Sequence, residues 1–468
     1  MHAVQRPGTT VRAHHRPANL DEALGLLARL GPRGRAVAGG TDLLLELARG
    51  ARAGVEELVD LTAIAGLDEV TEDGADLVLG PLVTHNQVLA DERLVAGALP
   101  LAQACLELGA PPLRNRATVV GNLVTASPAN DTISALLAMG ATVEVTAAGG
   151  GRRRLALDEL ITGFRTTALA PGELVTAVRV PRLGPGERGL FAKLGLRRAQ
   201  AISVVHVAAV VRTDGAVVAE ARLALGSVAP TVVRCPAAEE ALAGRPLDGA
   251  AIEEAAAAAA ASVRPIDDVR ATAAYRSEQV AVLVRRVLAA LRDGRERDGW
   301  PVRPALLHRA RDARPARPPA PGGEVTATVN GRVVTAGGAT GRTLLDWLRD
   351  AGLTGAKEGC AEGECGACTV TLDGQAVLAC LVPAPAAHGA TVGTVEGLDH
   401  PLQQAFVDCG AVQCGFCIPG FLVAGAALLD SCPAPDRDEV ARGLAGNLCR
   451  CTGYYPMFDA VAAVAERR

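Results

Sequence analysis

Eight of the twelve cysteines fall into two tight groups after residue 355, and no other feature constrains the fold as strongly. The first group is GCAEGECGACTV plus a later cysteine, spaced C-x4-C-x2-C-x11-C: Cys360, Cys365, Cys368 and Cys380. This is the spacing of a plant-type [2Fe–2S] loop, whose cluster takes four thiolates. Zinc competes for such ligands, but zinc sites usually join two C-x2–4-C knuckles, and only one is present here. The group therefore predicts an iron–sulfur site.

The second group combines QCGFCIPG with NLCRCTGY and brings four more thiols together: Cys414, Cys417, Cys449 and Cys451. We expect Cys414 and Cys417 to share one face at the start of a helix, because residues at i and i+3 are neighbours there. A C-x-C turn points its two thiols the same way. Four convergent ligands follow, and the spacing alone leaves both zinc and iron–sulfur open.

The remaining composition describes a folded chain without a polyanionic partner. The 468 residues suggest about three domains, and the formal charge of −4 favours neither nucleic acid nor an anionic membrane. The start MHAVQRPGTTVRAHHRP lacks the apolar core of a signal peptide, and no stretch is long and apolar enough for a membrane span. We expect a cytoplasmic protein, where reduced thiols bind metals rather than form a disulfide framework. The other four cysteines are predicted to be buried small apolar residues.

The predicted architecture is α+β and multidomain. Residues 299–323 are rich in proline and arginine and are predicted to form an extended linker. Before it, 1–183 alternates strands and helices, and 184–298 predicts a short antiparallel sheet with helices on one face. After it, 324–398 has two hairpin signals and one helix, as in a β-grasp ferredoxin-like domain, and 399–468 is helical.

Two loops in the N-terminal part have the residues of a cofactor site. Asn19–Leu30 predicts a capped helix, and AVAGGTDL (36–43) predicts a strand, a glycine turn and a second helix, where N–H groups can cradle a pyrophosphate. A second loop, Thr118-Val119-Val120-Gly121-Asn122, lies within the strand-like segment ATVVGNL and could line a polar cofactor. An ordinary polar loop remains an alternative.

From 324 to 468 the chain resembles the small iron–sulfur subunit of the molybdenum hydroxylases, the group of xanthine dehydrogenase and aerobic carbon monoxide dehydrogenase. The resemblance rests on AKEGCAEGECGACTVTLDG, ACL, QCGFCIPG and NLCRCTGY. It implies two [2Fe–2S] clusters, one plant-type and one in the helical domain, with the helical one nearest the molybdopterin. Gln413 matches the residue beside it.

Residues 10–295 resemble the FAD-binding subunit of the same family, through AGGTDL, TVVGN, FRTTALAPGELVTAVRVP and FAKLGLRRAQAISVV. The match departs at Val120, where glycine is common, and at RRAQAISVV, which lacks an aspartate often found after R-x-A. The resemblance implies FAD contacts from Ala36, Val37, Ala38, Gly39, Gly40, Thr41, Asp42, Leu43, Thr118, Gly121, Asn122, Thr125, Asp131, Val175 and Lys193. Asp131 is expected to bond the ribose or adenine, and Lys193 to favour a reduced, anionic flavin.

The resemblance implies an oxidoreductase subunit that passes electrons from a partner's molybdenum centre through the clusters to FAD, and then to NAD⁺, O2 or a quinone-linked acceptor. No residue of this chain is expected to be catalytic toward the oxidised substrate. The large molybdopterin-binding subunit is a separate chain, and a dimer of heterodimers is expected. GNLVTASPANDT favours a purine such as xanthine or another N-heterocycle, with carbon monoxide or an aldehyde as alternatives. A stand-alone NAD(P)H diaphorase and a zinc-stabilised scaffold are the rivals from other classes.

Overall fold

A small parallel sheet and two helices form the first unit of the fold. The computed structural model describes residues 10–308 and 323–467. The first elements are β1 (Ala13–His15), α1 (Leu20–Leu30), β2 (Gly34–Val37), α2 (Leu43–Ala48) and β3 (Glu57–Asp60), with strand order β1-β3-β2. Asn19 caps α1 as predicted, because its side chain accepts a hydrogen bond of 2.9 Å from the N–H of Glu22. The glycine turn predicted between β2 and α2 is also present.

A five-stranded antiparallel sheet and a layer of short helices follow. The elements are β4 (Val70–Asp73), β5 (Asp76–Leu79), α3 (His85–Ala90), α4 (Glu92–Gly97), α5 (Leu99–Glu107), α6 (Pro111–Arg114), α7 (Val119–Thr125), α8 (Asp131–Ala138), β6 (Thr142–Ala147), β7 (Arg152–Ala156), α9 (Leu157–Leu160), β8 (Ile161–Gly163), β9 (Thr166–Thr167) and β10 (Glu173–Pro181). The sheet order is β4-β5-β10-β6-β7, and β8 and β9 form a separate two-stranded sheet.

One expectation in this region was wrong. The sequence predicted a strand-like segment at ATVVGNL, but Val119–Thr125 forms the helix α7. The reason is local capping: the Oγ1 of Thr118 accepts a hydrogen bond of 2.9 Å from the N–H of Gly121, which starts a helical turn despite two β-branched valines.

The next unit is a four-stranded antiparallel sheet with helices, as predicted. It contains β11 (Glu187–Gly195), β12 (Ser203–Asp214), β13 (Val217–Gly226), β14 (Val233–Arg234), α10 (Pro236–Leu242), α11 (Gly249–Ser262) and α12 (Ala273–Arg292), in strand order β11-β12-β13-β14. One core joins the inner side chains of β12 and β13 to those of the three helices. The first half of β12 is buried on both faces, because α8 packs on the other side.

The C-terminal part is a β-grasp sheet followed by helices. It contains β15 (Val325–Val329), β16 (Arg332–Ala336), α13 (Leu344–Asp350), β17 (Thr369–Leu372), β18 (Gln375–Leu378), β19 (Thr391–Gly393), α14 (Leu402–Asp408), α15 (Ile418–Ser431), α16 (Arg437–Gly443) and α17 (Tyr455–Ala465). The strand order is β16-β15-β19-β17-β18, with β15 and β19 parallel. Both predicted hairpins are present, and Asn330 and Asp373 adopt the positive φ that such turns require.

Part of the predicted linker is a docked segment that we call the strap, residues 300–308. Its neighbours 309–322 lie outside the described residues. Leu307 is fully buried in the helical core, and the side chain of Asn115 donates hydrogen bonds of 3.0 Å to the carbonyls of Leu306 and Ala376. The strap therefore fastens the N-terminal part to the β-grasp sheet. Within 10–308 and 323–467, no helix has the length and apolarity to cross a lipid bilayer.

Candidate functional site

A cavity of about 770 Å³ lies in the N-terminal part and brings together all fifteen residues predicted to contact FAD. Its walls come from the turn between β2 and α2, the start of α7 and α8, strand β10 and strand β11. Because these segments are far apart in sequence, their convergence on one cavity supports the two loops as parts of a single site. The cavity volume of about 770 Å³ is in the range of cofactor pockets.

The glycine turn presents backbone amides to this cavity. Among the described residues, the N–H groups of Gly39, Gly40 and Thr41 make no hydrogen bond. A Cβ atom on Gly39 would lie 2.2 Å from the carbonyl oxygen of Arg116, and Gly40 has a φ of +79°. Only glycine fits this close backbone approach. Free amides ahead of a helix favour an anion, so the turn fits a dinucleotide pyrophosphate.

Polar side chains of the second loop are already held in place by the chain. Thr118 caps α7, Thr125 donates to the carbonyl of Gly121 at 2.9 Å, and the Oδ1 of Asn122 accepts from Thr132 at 2.5 Å. Val120 replaces the expected glycine and lies in α7, where it is 8% exposed and lines the cavity. These hydrogen bonds hold the polar side chains of the loop without any ligand.

Lys193 and Asp131 form a buried ion pair at the cavity wall. The Nζ of Lys193 lies 2.6 Å from the Oδ2 of Asp131, and both side chains are 5% exposed. Lys193 also donates to the carbonyl of Glu107, and Ser203 donates to the other carboxylate oxygen of Asp131. Both oxygens of Asp131 therefore already accept hydrogen bonds, so its first role is to hold the Lys193 ammonium in place.

The first thiol group lies in the loop between α13 and β17, with its fourth member just after β18. Backbone N–H groups of Glu362, Glu364 and Cys365 point at the sulfur of Cys360 at 3.3 to 3.4 Å. A hydrogen bond from the Cys365 thiol and these amides lower the pKa of Cys360 to about 5. Amides aimed at a ligand sulfur stabilise the thiolate that an iron–sulfur cluster needs.

The second thiol group converges between α15 and the loop before α17. Cys417 is the residue immediately before α15, so Cys414 and Cys417 lie near the N-terminus of this helix, just ahead of its first turn. Pro419 lies in that first turn, to which proline is suited, and it sets where the helix begins. Cys414 and Cys451 are exposed, whereas Cys417 is buried.

The thiols contact one another in pairs within each group. The hydrogen-bonded pairs are Cys360 with Cys365, Cys368 with Cys380, Cys417 with Cys449, and Cys414 with Cys451. Across 10–308 and 323–467, no three ligating side chains gather closely enough for one metal ion. Each group thus consists of two thiol pairs, and a [2Fe–2S] cluster has two irons that together take four thiolates. The residues present therefore fit the two clusters.

The remaining cysteines largely follow the prediction of buried apolar residues. Cys105, Cys235 and Cys432 are buried, but Cys409 is half-buried at the end of α14. Burial raises the pKa of Cys105 well above the usual range of a thiol, which makes it unreactive.

The loop of the first thiol group also forms part of the cavity wall, which the sequence did not reveal. Glu362, Gly363 and Glu364 line the cavity together with Leu381, and Gln200 lines it from the N-terminal side. Gln200 lies in RRAQAISVV, the segment that lacks the aspartate often found after R-x-A, and this departure was the one signal available. The site for FAD and the first thiol group are therefore adjacent.

Comparison with known sequence families gives four matches in the order of these units. Residues 9–183 match the family described as "FAD binding domain in molybdopterin dehydrogenase", and 191–291 match "CO dehydrogenase flavoprotein C-terminal domain". Residues 327–389 match "2Fe-2S iron-sulfur cluster binding domain", and 393–462 match "[2Fe-2S] binding domain". The fold and site thus define a flavoprotein that also contains two [2Fe–2S] domains.

Individual relatives identify the family. The nicotinate dehydrogenase small FeS subunit of Eubacterium barkeri is 48% identical over 27% of this chain and 84% of that protein, and the nicotine 6-hydroxylase small subunit of Paenarthrobacter nicotinovorans is 48% identical over 30% and 87%. A carbon monoxide dehydrogenase chain from Hydrogenophaga pseudoflava is 31% identical, with a TM-score of 0.58 over 61% of this chain and 98% of that one. The chain belongs to the molybdenum hydroxylase family, as a fusion of its FAD-binding and iron–sulfur parts.

Proposed function

We propose that this chain carries electrons from a separate molybdopterin-binding catalytic subunit to an acceptor of FAD, which is NAD⁺, O2 or a quinone-linked carrier. The observation that carries the proposal is the shared wall: residues 362–364, inside the first thiol loop, line the cavity proposed for FAD. When bound, the clusters carry single electrons, and FAD collects two of them and passes them on as a pair.

The residues of the chain would bind and orient these groups. Cys360, Cys365, Cys368 and Cys380 would hold the plant-type cluster, and Cys414, Cys417, Cys449 and Cys451 the helical one. The free amides of 39–41 would receive the pyrophosphate, and the remaining twelve predicted contacts would line the rest of FAD. The ammonium of Lys193 would favour negative charge on the flavin, and Asp131 would position that ammonium.

We propose that the catalytic partner docks over the exposed thiols. Cys414 and Cys451 are exposed, and the apolar side chains of Val412, Phe416 and Leu448 beside them are 39 to 46% exposed. Electron transfer requires a short distance, so a partner covering this face would bring its own centre close to the helical cluster. We also propose that the assembly is a dimer of heterodimers and that it is cytoplasmic. The proposed domain boundaries of the chain follow residues 183, 298, 323 and 398.

The substrate of the assembly is proposed to be an N-heterocycle. The two iron–sulfur relatives are named for nicotinate and nicotine, both of which contain a pyridine ring, and the second flavin loop resembles that of xanthine dehydrogenase. Carbon monoxide remains the second candidate because the flavin part resembles carbon monoxide dehydrogenase.

Metal analysis and one cysteine variant test the proposal. Purified protein should contain about four iron and four acid-labile sulfide per chain, and zinc in their place would overturn the proposal. In complex with its partner, C417S should lose the helical cluster and stop reduction of FAD by substrate, while dithionite still reduces FAD. C409S is the matched control and should behave as wild type, since Cys409 belongs to neither group. Rapid substrate reduction of FAD in C417S would refute the proposed order of electron transfer. Full reduction by NAD(P)H without a partner would favour the diaphorase alternative.

A further inference from the structure

Three side chains of the N-terminal part contact the first thiol loop at consecutive residues. Arg49 pairs with Glu362, the Nε2 of Gln200 donates to the carbonyl of Gly363 at 3.2 Å, and Arg197 lies 3.7 Å from Glu364. The two ion pairs are about half exposed, whereas Gln200 is 8% exposed. Exposed ion pairs contribute little because water screens them, so of these three contacts the buried amide holds the loop most firmly.

The backbone on both sides of this hydrogen bond is held in an uncommon conformation. Gln200 has a φ of +52°, and its N–H donates to the carbonyl of Gly109 at 3.2 Å. Gly363 has a φ of +78°, and a Cβ there would lie 2.2 Å from the side chain of Leu381. A positive φ outside glycine is uncommon and is retained when the surroundings determine it. The surrounding structure therefore holds the side-chain amide of Gln200 against the carbonyl of Gly363.

The peptide bond that accepts this hydrogen bond also reaches a ligand sulfur. Its carbonyl belongs to Gly363, and its N–H belongs to Glu364 and donates to the sulfur of Cys360 at 3.3 Å. A donor on a peptide carbonyl polarises the peptide and strengthens the hydrogen bond made by its N–H. A continuous chain thus runs from Gln200, at the cavity wall, through one peptide to a cluster ligand.

We propose that Gln200 is a positioning residue that raises the reduction potential of the plant-type cluster through the Gly363–Glu364 peptide. Hydrogen bonds to ligand sulfurs stabilise the more negative, reduced cluster, so a stronger N–H···S bond raises its potential. The inference rests on the proposed function, because it requires a [2Fe–2S] cluster at Cys360. It assigns to Gln200 a contact with the cluster loop that the sequence alone did not predict.

The test is a redox titration of both clusters, followed by electron paramagnetic resonance, in the full chain. Q200L removes the donor at similar volume and should shift only the plant-type cluster to a more negative potential. We expect a loss of up to about tenfold in the equilibrium constant for reduction, which is about 59 mV for one electron. The helical cluster is the internal reference, and Q404L, at an exposed glutamine of α14, is the matched control and should shift neither.

A second variant and the wild type separate the possible failures. Q200E places a carboxylate against the Gly363 carbonyl and should shift the plant-type cluster at least as far as Q200L. Unchanged potentials, equal shifts of both clusters, or loss of both clusters in both variants would overturn the inference. Wild-type protein without either cluster would instead refute the proposed function. Faster hydrogen exchange of the Glu364 amide in Q200L would locate the effect at the proposed peptide.

Discussion

Gly39 lies where two backbone segments approach closely in the cavity wall. The turn that contains it and the segment before α7 are held together there, since the position has room for a hydrogen atom but not for a methyl group. The conformation of both predicted flavin loops thus depends on one residue.

We predict that G39A weakens FAD binding by about tenfold to a hundredfold. The added methyl would press on the carbonyl of Arg116 and cost about 1–3 kcal/mol as the backbone shifts. Flavin fluorescence titration measures the dissociation constant. The matched control is G25A in α1, where a Cβ meets nothing within 4 Å; it should keep FAD affinity and stabilise the fold by up to about 1 kcal/mol. Equal affinities in G39A and wild type would contradict the assignment of the turn.

The buried Lys193–Asp131 pair supports a second residue-scale prediction. K193M leaves the carboxylate of Asp131 buried with only Ser203 as a partner, so the free energy of unfolding should fall by about 3–5 kcal/mol. Urea denaturation measures this loss. Adding D131N should recover part of it, because no buried charge is then left unpaired. R295M breaks the exposed Arg295–Asp298 pair and should cost less than about 1 kcal/mol.

The strap is the element that joins the two halves, and its backbone is bound by a buried polar cluster. Asn86 and Asn115 are each 1% exposed and both donate to the carbonyl of Leu306, while Arg114 reaches the carbonyl of Ala305 at 3.4 Å. At its other side, Arg303 makes two hydrogen bonds to Glu439 of α16. The strap therefore contacts the N-terminal part on one side and helix α16 of the C-terminal part on the other.

N115L should weaken the attachment of the two halves. It leaves the carbonyl of Ala376 without its buried donor, which costs about 1–3 kcal/mol per unpaired group. When the variant is unfolded in urea, we expect the flavin signal and the cluster signal to change at different urea concentrations, whereas in wild type they change together. The control is N19A, which removes the asparagine that caps α1. It should lower the free energy of unfolding by about 1 kcal/mol while the two signals still change together. Coincident transitions in N115L would argue against this role of the strap.

Short-range chemistry made much of the fold and site predictable, and long-range docking did not. The eight thiols and the turn at Gly39 and Gly40 are recognisable because ligand spacing and glycine turns are local patterns. The contact between Gln200 and Gly363 joins residues 163 positions apart, and that between Asn115 and Leu306 joins residues 191 apart. Such pairs depend on how separately folded units meet, and no periodicity in either segment encodes that.

The stability of the whole molecule should fall at mildly acidic pH, and His85 contributes to this. Burial, with the charge of Arg114, lowers the pKa of His85 from 6.5 to about 3. Below pH 6.5, His85 therefore binds a proton in the unfolded chain but not in the folded chain. The free energy of unfolding consequently falls as the pH falls from 6.5 toward 3. Between pH 8 and pH 5 this one residue should remove about 2 kcal/mol.

H85N tests that contribution because asparagine does not titrate in this range. Urea denaturation at pH 8 and pH 5 should show that the variant loses about 2 kcal/mol less than wild type over the interval, even if its stability at pH 8 is lower. Identical losses in the two proteins would mean that His85 is protonated equally in both states. The buried histidines His14 and His206 have pKa values lowered mainly by burial and should keep a residual slope in the variant.

The covalent connection through the strap changes how the two halves respond to dilution. Halves made as separate polypeptides would have to find each other at nanomolar or micromolar levels, whereas a short peptide tether holds them at an effective concentration of about millimolar. Their interface therefore needs only modest intrinsic affinity to stay closed. Every translated chain also supplies one flavin site and two cluster sites in a fixed ratio, so no half is left with exposed docking surface when expression levels vary.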